Sequence, residues 1–280
     1  MREMHEAARA AIYRAFTRPY FPIHPKLVLY TPSAPPGALC RACICIQENK
    51  GACMREEFRN EMRVLEETLT LMARSASKAM DQAAQSLRDA NLGLAESVID
   101  ADSHIDHLER QIEEMAISLL ARQAPVASDL RTVVTALRIA TILERMGDLA
   151  RHVAYIARGR FPQTAVDGDA YDLIVKMGEA AAKQGQRVAK MIETQDIELA
   201  KQLEADDDKL DELHRQTFDL VLDESNDLSR QTVVDVILLG RFLERYGDQG
   251  VNAARNMRFL ITGLHVDVEP RPSTEEEMLG

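Results

Sequence analysis

The chain has 280 residues, 46% of them hydrophobic and only 5% aromatic, with no Trp. That is enough to bury a sizeable core, and the Ala, Leu, Ile, Val and Met that supply it favour helix packing over a β-sandwich. A net charge of −11 disfavours nucleic acid, whose phosphates call for a basic face, and suits cations or basic protein surfaces.

Residues 1–53 stand apart from the rest of the chain. They carry seven Lys/Arg against three Asp/Glu, whereas the remainder carries 27 against 42. Six of the ten prolines and all four cysteines (Cys40, Cys43, Cys45 and Cys53) fall there. One reading of the cysteines is a metal or iron–sulfur site, although the spacing is too tight and irregular for a two-knuckle zinc site. The other is an unstructured extension ahead of a true start at Met54, and residues 1–53 are assigned to it. The opening MREMHEAARAAIYRAF lacks the continuous apolar stretch of a secretory signal. No later run approaches the roughly 20 apolar residues of a membrane span, so a cytoplasmic protein without membrane insertion is expected.

From Met54 onward the apolar periodicity predicts six helices over 55–89, 93–123, 127–158, 170–192, 196–223 and 229–262. Pro125 and Pro162 fall between them, Asn91 and Gly93 mark the first turn, and Gly263 stands where a C-terminal glycine caps a helix. The fold class is therefore all-α, with two tandem antiparallel three-helix bundles at 55–158 and 170–263. Residues 264–280 are expected to form a disordered acidic tail.

The bundles are copies of one unit. Between 132–148 and 232–248, 8 of 17 positions are identical, ending in Glu144-Arg145-Met146-Gly147-Asp148 and Glu244-Arg245-Tyr246-Gly247-Asp248. The second and fifth helices match at an offset of 105, Asp102-x-x-Ile105-Asp106-x-Leu108 against Asp207-x-x-Leu210-Asp211-x-Leu213.

In each half a Glu-x-x-x-Asp pair continues an apolar stripe: Val133, Leu137 and Ala140 lead to Glu144 and Asp148, and Val233, Ile237 and Gly240 lead to Glu244 and Asp248. The neighbouring helix adds Asp102/Asp106 or Asp207/Asp211. Four carboxylates brought together repel one another and call for positive charge. Hard cations on oxygen ligands would supply it; so would ion pairs with Arg145, Arg245, Arg110 or Arg151. The first option makes Asp102, Asp106, Glu144, Asp148, Asp207, Asp211, Glu244 and Asp248 candidate metal ligands, for iron, manganese or magnesium before zinc. The helix-weakening Gly147 and Gly247 have two readings, close approach of a neighbour or inheritance from the duplicated unit. The chain has no Glu-x-x-His, the motif of di-iron bundles, and no phosphate loop or nucleophile elbow, so an enzyme is not expected.

The segments LERMGDLARHVAYIARG and LERYGDQGVNAARNMRFLITG resemble the PhoU family over about residues 55–263. The resemblance implies a commonly dimeric cytoplasmic regulator that couples the phosphate ABC transporter ATPase to a phosphate-sensing histidine kinase. Such a regulator restrains phosphate uptake and represses phosphate-starvation genes. The resemblance also implies a multinuclear metal cluster, often iron, on the surface of each bundle, held by that bundle's four of the eight acids in a shallow patch between helices. The alternatives are a metal-dependent hydrolase, a metal store, or a metal-free helical adaptor.

Overall fold

The apolar periodicity and its interruptions translate into six helices. The computed structural model describes the backbone of residues 41–264 and the side chains of 55–204 and 207–264. The helices are α1 (Arg41–Asp89), α2 (Leu92–Gln123), α3 (Ala127–Arg160), α4 (Gly168–Thr194), α5 (Ile197–Leu222) and α6 (Arg230–Thr262). Local chemistry sets most ends. The side chains of Asn91, Asp196 and Ser229 accept hydrogen bonds from the first-turn amides of Leu94, Glu198 and Thr232, satisfying donors a helix start leaves open. Gly263 closes α6 at φ +75°, its amide donating to the Phe259 carbonyl at 2.9 Å.

One boundary differs from expectation. The first helix begins at Arg41 and not near residue 55. The expected start rested on apolar periodicity beginning at Met54; Gly51 lies inside the helix, where a single glycine costs only about 1 kcal/mol, and Ala, Ile, Gln, Glu and Lys around it tolerate helix well. The expectations for residues 1–40 and 265–280, and for the cysteine side chains, fall outside the described residues.

From Gly51 onward the chain forms one compact unit, so the two three-helix repeats share a core. α3 and α6 run antiparallel against each other: His152 stacks on Phe242 with ring centroids 5.0 Å apart. One end of this contact is closed by Arg160, which donates to both carboxylate oxygens of buried Asp235 at 2.6 and 2.9 Å. α1 and α4 form the second antiparallel contact. Arg74 pairs with Glu193 at 2.8 Å and Arg88 lies 3.9 Å from Glu179. Both Arg74/Glu179 and Arg88/Glu193 are 105 residues apart, so the two pairs are mates with the charges exchanged, as a two-fold relation between the repeats requires. α2 packs on the outside of α3 and α5 on the outside of α6. The candidate acids lie along these two outer seams.

Candidate functional site

Each seam is drawn tight by the repeated glycine. A Cβ on Gly147 would stand 2.9 Å from Cδ1 of Ile105, the residue between Asp102 and Asp106 on α2. A Cβ on Gly247 would stand 2.7 Å from Cδ2 of Leu210, between Asp207 and Asp211 on α5, and 2.8 Å from an Asp207 oxygen. Close approach is thus the reading the structure supports: the glycine lets the acid-bearing helix settle directly over the Glu-x-x-x-Asp helix.

All eight predicted acids lie along the seams, four on each, at the border between core and surface. Asp102, Asp207 and Glu244 are buried, while Asp106, Glu144, Asp148, Asp211 and Asp248 are half-buried. Burial comes first in raising Glu144, followed by the charges of Asp148, Glu109, Asp106 and Asp102, and together they lift its carboxyl to about 7. Glu244 also rises to about 7, again first through burial and then through Asp148's counterpart Asp248, with Arg241 opposing. Asp102 is raised by burial against the pull of Arg151. Negative charge on both seams is therefore only partly compensated where it stands.

The arginine partners differ between the seams. On the first, Arg151 of α3 bridges the helices, donating to Asp102 on α2 and, at 2.5 Å, to Asp148 on its own helix. Val251 occupies the matching position of α6 and is buried. On the second, Arg241 donates to both oxygens of Glu244 at 3.0 and 2.8 Å, from a position that is Thr141 in the first repeat. Of the other arginines weighed from the sequence, Arg145 and Arg245 are exposed, and Arg110 donates to the Asp106 backbone carbonyl at 3.1 Å.

The sequence reading missed one more side chain on these faces. Glu109, raised by burial, extends the Asp102–Asp106 row by another helical step. Its counterpart 105 residues on is His214, buried, edge-on to Phe218 at 5.1 Å and held below its ordinary pKa by burial and then by Arg241. The spacing Asp102, Asp106, Glu109 was visible in the sequence as one helical face. Buried Gln184 was missed too; it donates to the Gly247 carbonyl at 3.2 Å, from α4 to α6 within the second repeat, and no local pattern marks it.

The family model described as the PhoU domain matches residues 69–157 and again 174–257, once on each repeat. The chain belongs to the PhoU family. It is 40% identical over 210 residues to the "Phosphate-specific transport system accessory protein PhoU homolog 2" of Mycobacterium tuberculosis, covering 75% of this chain and 99% of that relative. It is 39% identical over 221 residues to homolog 1 of Mycobacterium leprae, covering 79% and 100%. The crystal structure of PhoU from Pseudomonas aeruginosa superposes with a TM-score of 0.66 at 28% identity, over 74% of this chain and all of that one. The phosphate transport system regulatory protein PhoU from Streptococcus pneumoniae shares the fold at a TM-score of 0.67 and 21% identity, over 75% of this chain and all of that one. These PhoU relatives are named as accessory and regulatory proteins, not enzymes, in line with the missing catalytic motifs. Among the described residues no helix is long and apolar enough to cross a membrane.

The acids of a PhoU repeat offer an all-oxygen donor set, the chemistry of iron, manganese or magnesium sites. As the side chains stand, no three His, Cys, Asp or Glu residues among those described converge on one ligating point. Arg151 and Arg241 hold three of the carboxylates. The residues fit a cation in type and in charge, and ligation on the first seam requires Arg151 to release Asp102 and Asp148.

Proposed function

We propose that this protein is the accessory regulator of a phosphate ABC transporter and restrains phosphate uptake. In this reading it works in the cytoplasm as a homodimer, contacting the transporter ATPase and a phosphate-sensing histidine kinase to repress the phosphate-starvation response. The observation that carries the reading is the Leu-Glu-Arg-x-Gly-Asp signature at 143–148 and 243–248, each copy packed under an acid-bearing helix, in a chain whose relatives are named for phosphate-specific transport. Radiolabelled phosphate uptake by a deletion strain in phosphate-rich medium tests it. Uptake is expected to rise; an unchanged rate in a genome without a second PhoU protein would count against the role.

The same reading assigns metal ions to the seams: Asp102, Asp106, Glu144 and Asp148 would hold one site, and Asp207, Asp211, Glu244 and Asp248 the other. Iron is expected from the family resemblance, with manganese, magnesium or zinc as alternatives. A cation would add counter-charge beside Glu144 and Glu244, which burial and neighbouring carboxylates raise to about 7. The Arg151 bridge favours a second reading, a metal-free adaptor in which arginines carry that charge. Metal content decides between them, measured on protein purified without chelators beside a Glu144/Asp148/Glu244/Asp248 alanine variant. Metal in the first and none in the second supports ligation; equal content in both leaves the adaptor.

A further inference from the structure

A groove between α1 and α2, away from both acid seams, has a volume of about 700 Å³. Its walls are one stripe from each helix: Glu56, Glu57, Asn60, Glu61 and Val64 on α1, and Glu114, Met115, Ser118, Leu119 and Arg122 on α2. Each stripe repeats at helical spacing over nine residues, a rise of roughly 12 Å or about two turns. Its apolar lining is Leu119, which is buried, Met115, which is half-buried, and Val64, which is 41% exposed. The rim is acidic, and its one cation among the described residues, Arg122, is already bound to Glu61 at 2.6 Å. The second oxygen of that carboxylate, Glu61 Oε2, is buried and accepts no hydrogen bond.

The groove belongs to the first repeat alone. At the offset of 105 that relates α1 to α4, Gly168 at the start of α4 corresponds to Arg63. Residues 56–61 of α1 therefore have no helical counterpart, and the repeat itself does not explain the groove.

We propose that this groove docks an amphipathic helix of a partner protein, with an apolar stripe flanked by Lys or Arg. Two parallel walls with an apolar lining accept a third helix by ordinary ridge-into-groove packing. The acidic rim selects basic flanks, and a Lys or Arg reaching Glu61 Oε2 would satisfy the oxygen left over. The acidic body of a second copy is a poor occupant, because residues 54–280 carry 27 Lys/Arg against 42 Asp/Glu and would bring like charge to the rim. Docking here is independent of the metal assignment and of the transport role.

The test is fluorescence anisotropy on the full chain with two synthetic helical peptides, identical in their Leu stripe and flanked by Lys in one and by Glu in the other. The Lys peptide is expected to bind and the Glu peptide to fail. Glu57→Lys with Glu114→Lys should weaken binding about tenfold or more, as should Val64→Asp at its exposed position, with helical content and melting temperature retained. A control, Glu198→Lys with Glu212→Lys on exposed faces of α5, should change it less than about twofold. Equal binding of both peptides, no binding of either, or an equal loss in the control would overturn the proposal. So would groove variants that turn a dimer into a monomer while leaving peptide binding intact, since the groove would then be a self-association surface.

Discussion

Gly147 and Gly247 occupy the same place in the two repeats, yet their surroundings differ. Beneath Gly147 the nearest obstacle is the tip of Ile105, which can swing aside. Beneath Gly247 stand Leu210, an Asp207 oxygen at 2.8 Å and the Gln184 oxygen at 3.0 Å, and all of them would have to move. Alanine gains about 1 kcal/mol of helix propensity over glycine at either site. Gly147→Ala is therefore expected to be close to neutral in urea denaturation, and Gly247→Ala to cost about 1–3 kcal/mol through overpacking. Equal effects would mean that the two seams are equally tight. His214 makes a second prediction at this scale. Burial and Arg241 hold its imidazole below 6.5, so the folded state favours the neutral ring. Its contribution to stability is complete above 6.5 and is lost as pH falls from there through the lowered folded value. Glu144 and Glu244 act in the opposite sense. Raised from 4.5 to about 7, they stabilise metal-free protein fully below 4.5 and lose that contribution as pH rises to about 7. Comparing wild type with His214→Gln isolates the histidine: between about pH 6.5 and 5 the wild type should lose more stability than the variant. Parallel curves would show that His214 is protonated without cost in the fold.

Among the elements, α3 and α6 are joined most specifically by Arg160 and Asp235. Asp235 is nearly inaccessible and also accepts from Gln231 at 3.1 Å. Arg160→Leu would leave that carboxylate without its main partner and is expected to cost about 1–3 kcal/mol, discounted because the arginine is 34% exposed. Asp235→Leu added to it should recover part of the loss, as removing both members of a buried pair often does. A double variant worse than the arginine variant alone would contradict this. The helices themselves were legible in the sequence, because prolines, caps and the 3.6-residue period mark them independently. The start of α1 was not: the apolar periodicity begins only at Met54, and the helix runs through Gly51 ahead of it. Arg160–Asp235 was not legible either, since the two residues meet only through the antiparallel register of α3 on α6.

For the whole molecule, duplication was readable from Glu-Arg-x-Gly-Asp and from the Asp-x-x-x-Asp match at an offset of 105, and together they mark the eight acids that line the seams. What duplication concealed is divergence. Arg151 bridges two helices in one repeat where Val251 is buried in the other, and Glu109 gives way to His214. The substitutions stand in the aligned repeats, but which carboxylates Arg151 joins does not, because its partners come partly from a neighbouring helix. The shared core was equally hidden, since reciprocal pairs such as Arg74–Glu193 and Arg88–Glu179 appear only once the repeats are docked. Regulation of a phosphate-acquisition system by this doubled scaffold stands or falls on alkaline phosphatase activity in phosphate-rich medium, compared between the deletion strain and the same strain carrying the full chain. High activity in the deletion, returned to the repressed level by the full chain, is the expected outcome. Full repression without the protein, in a genome holding no other PhoU protein, would contradict it.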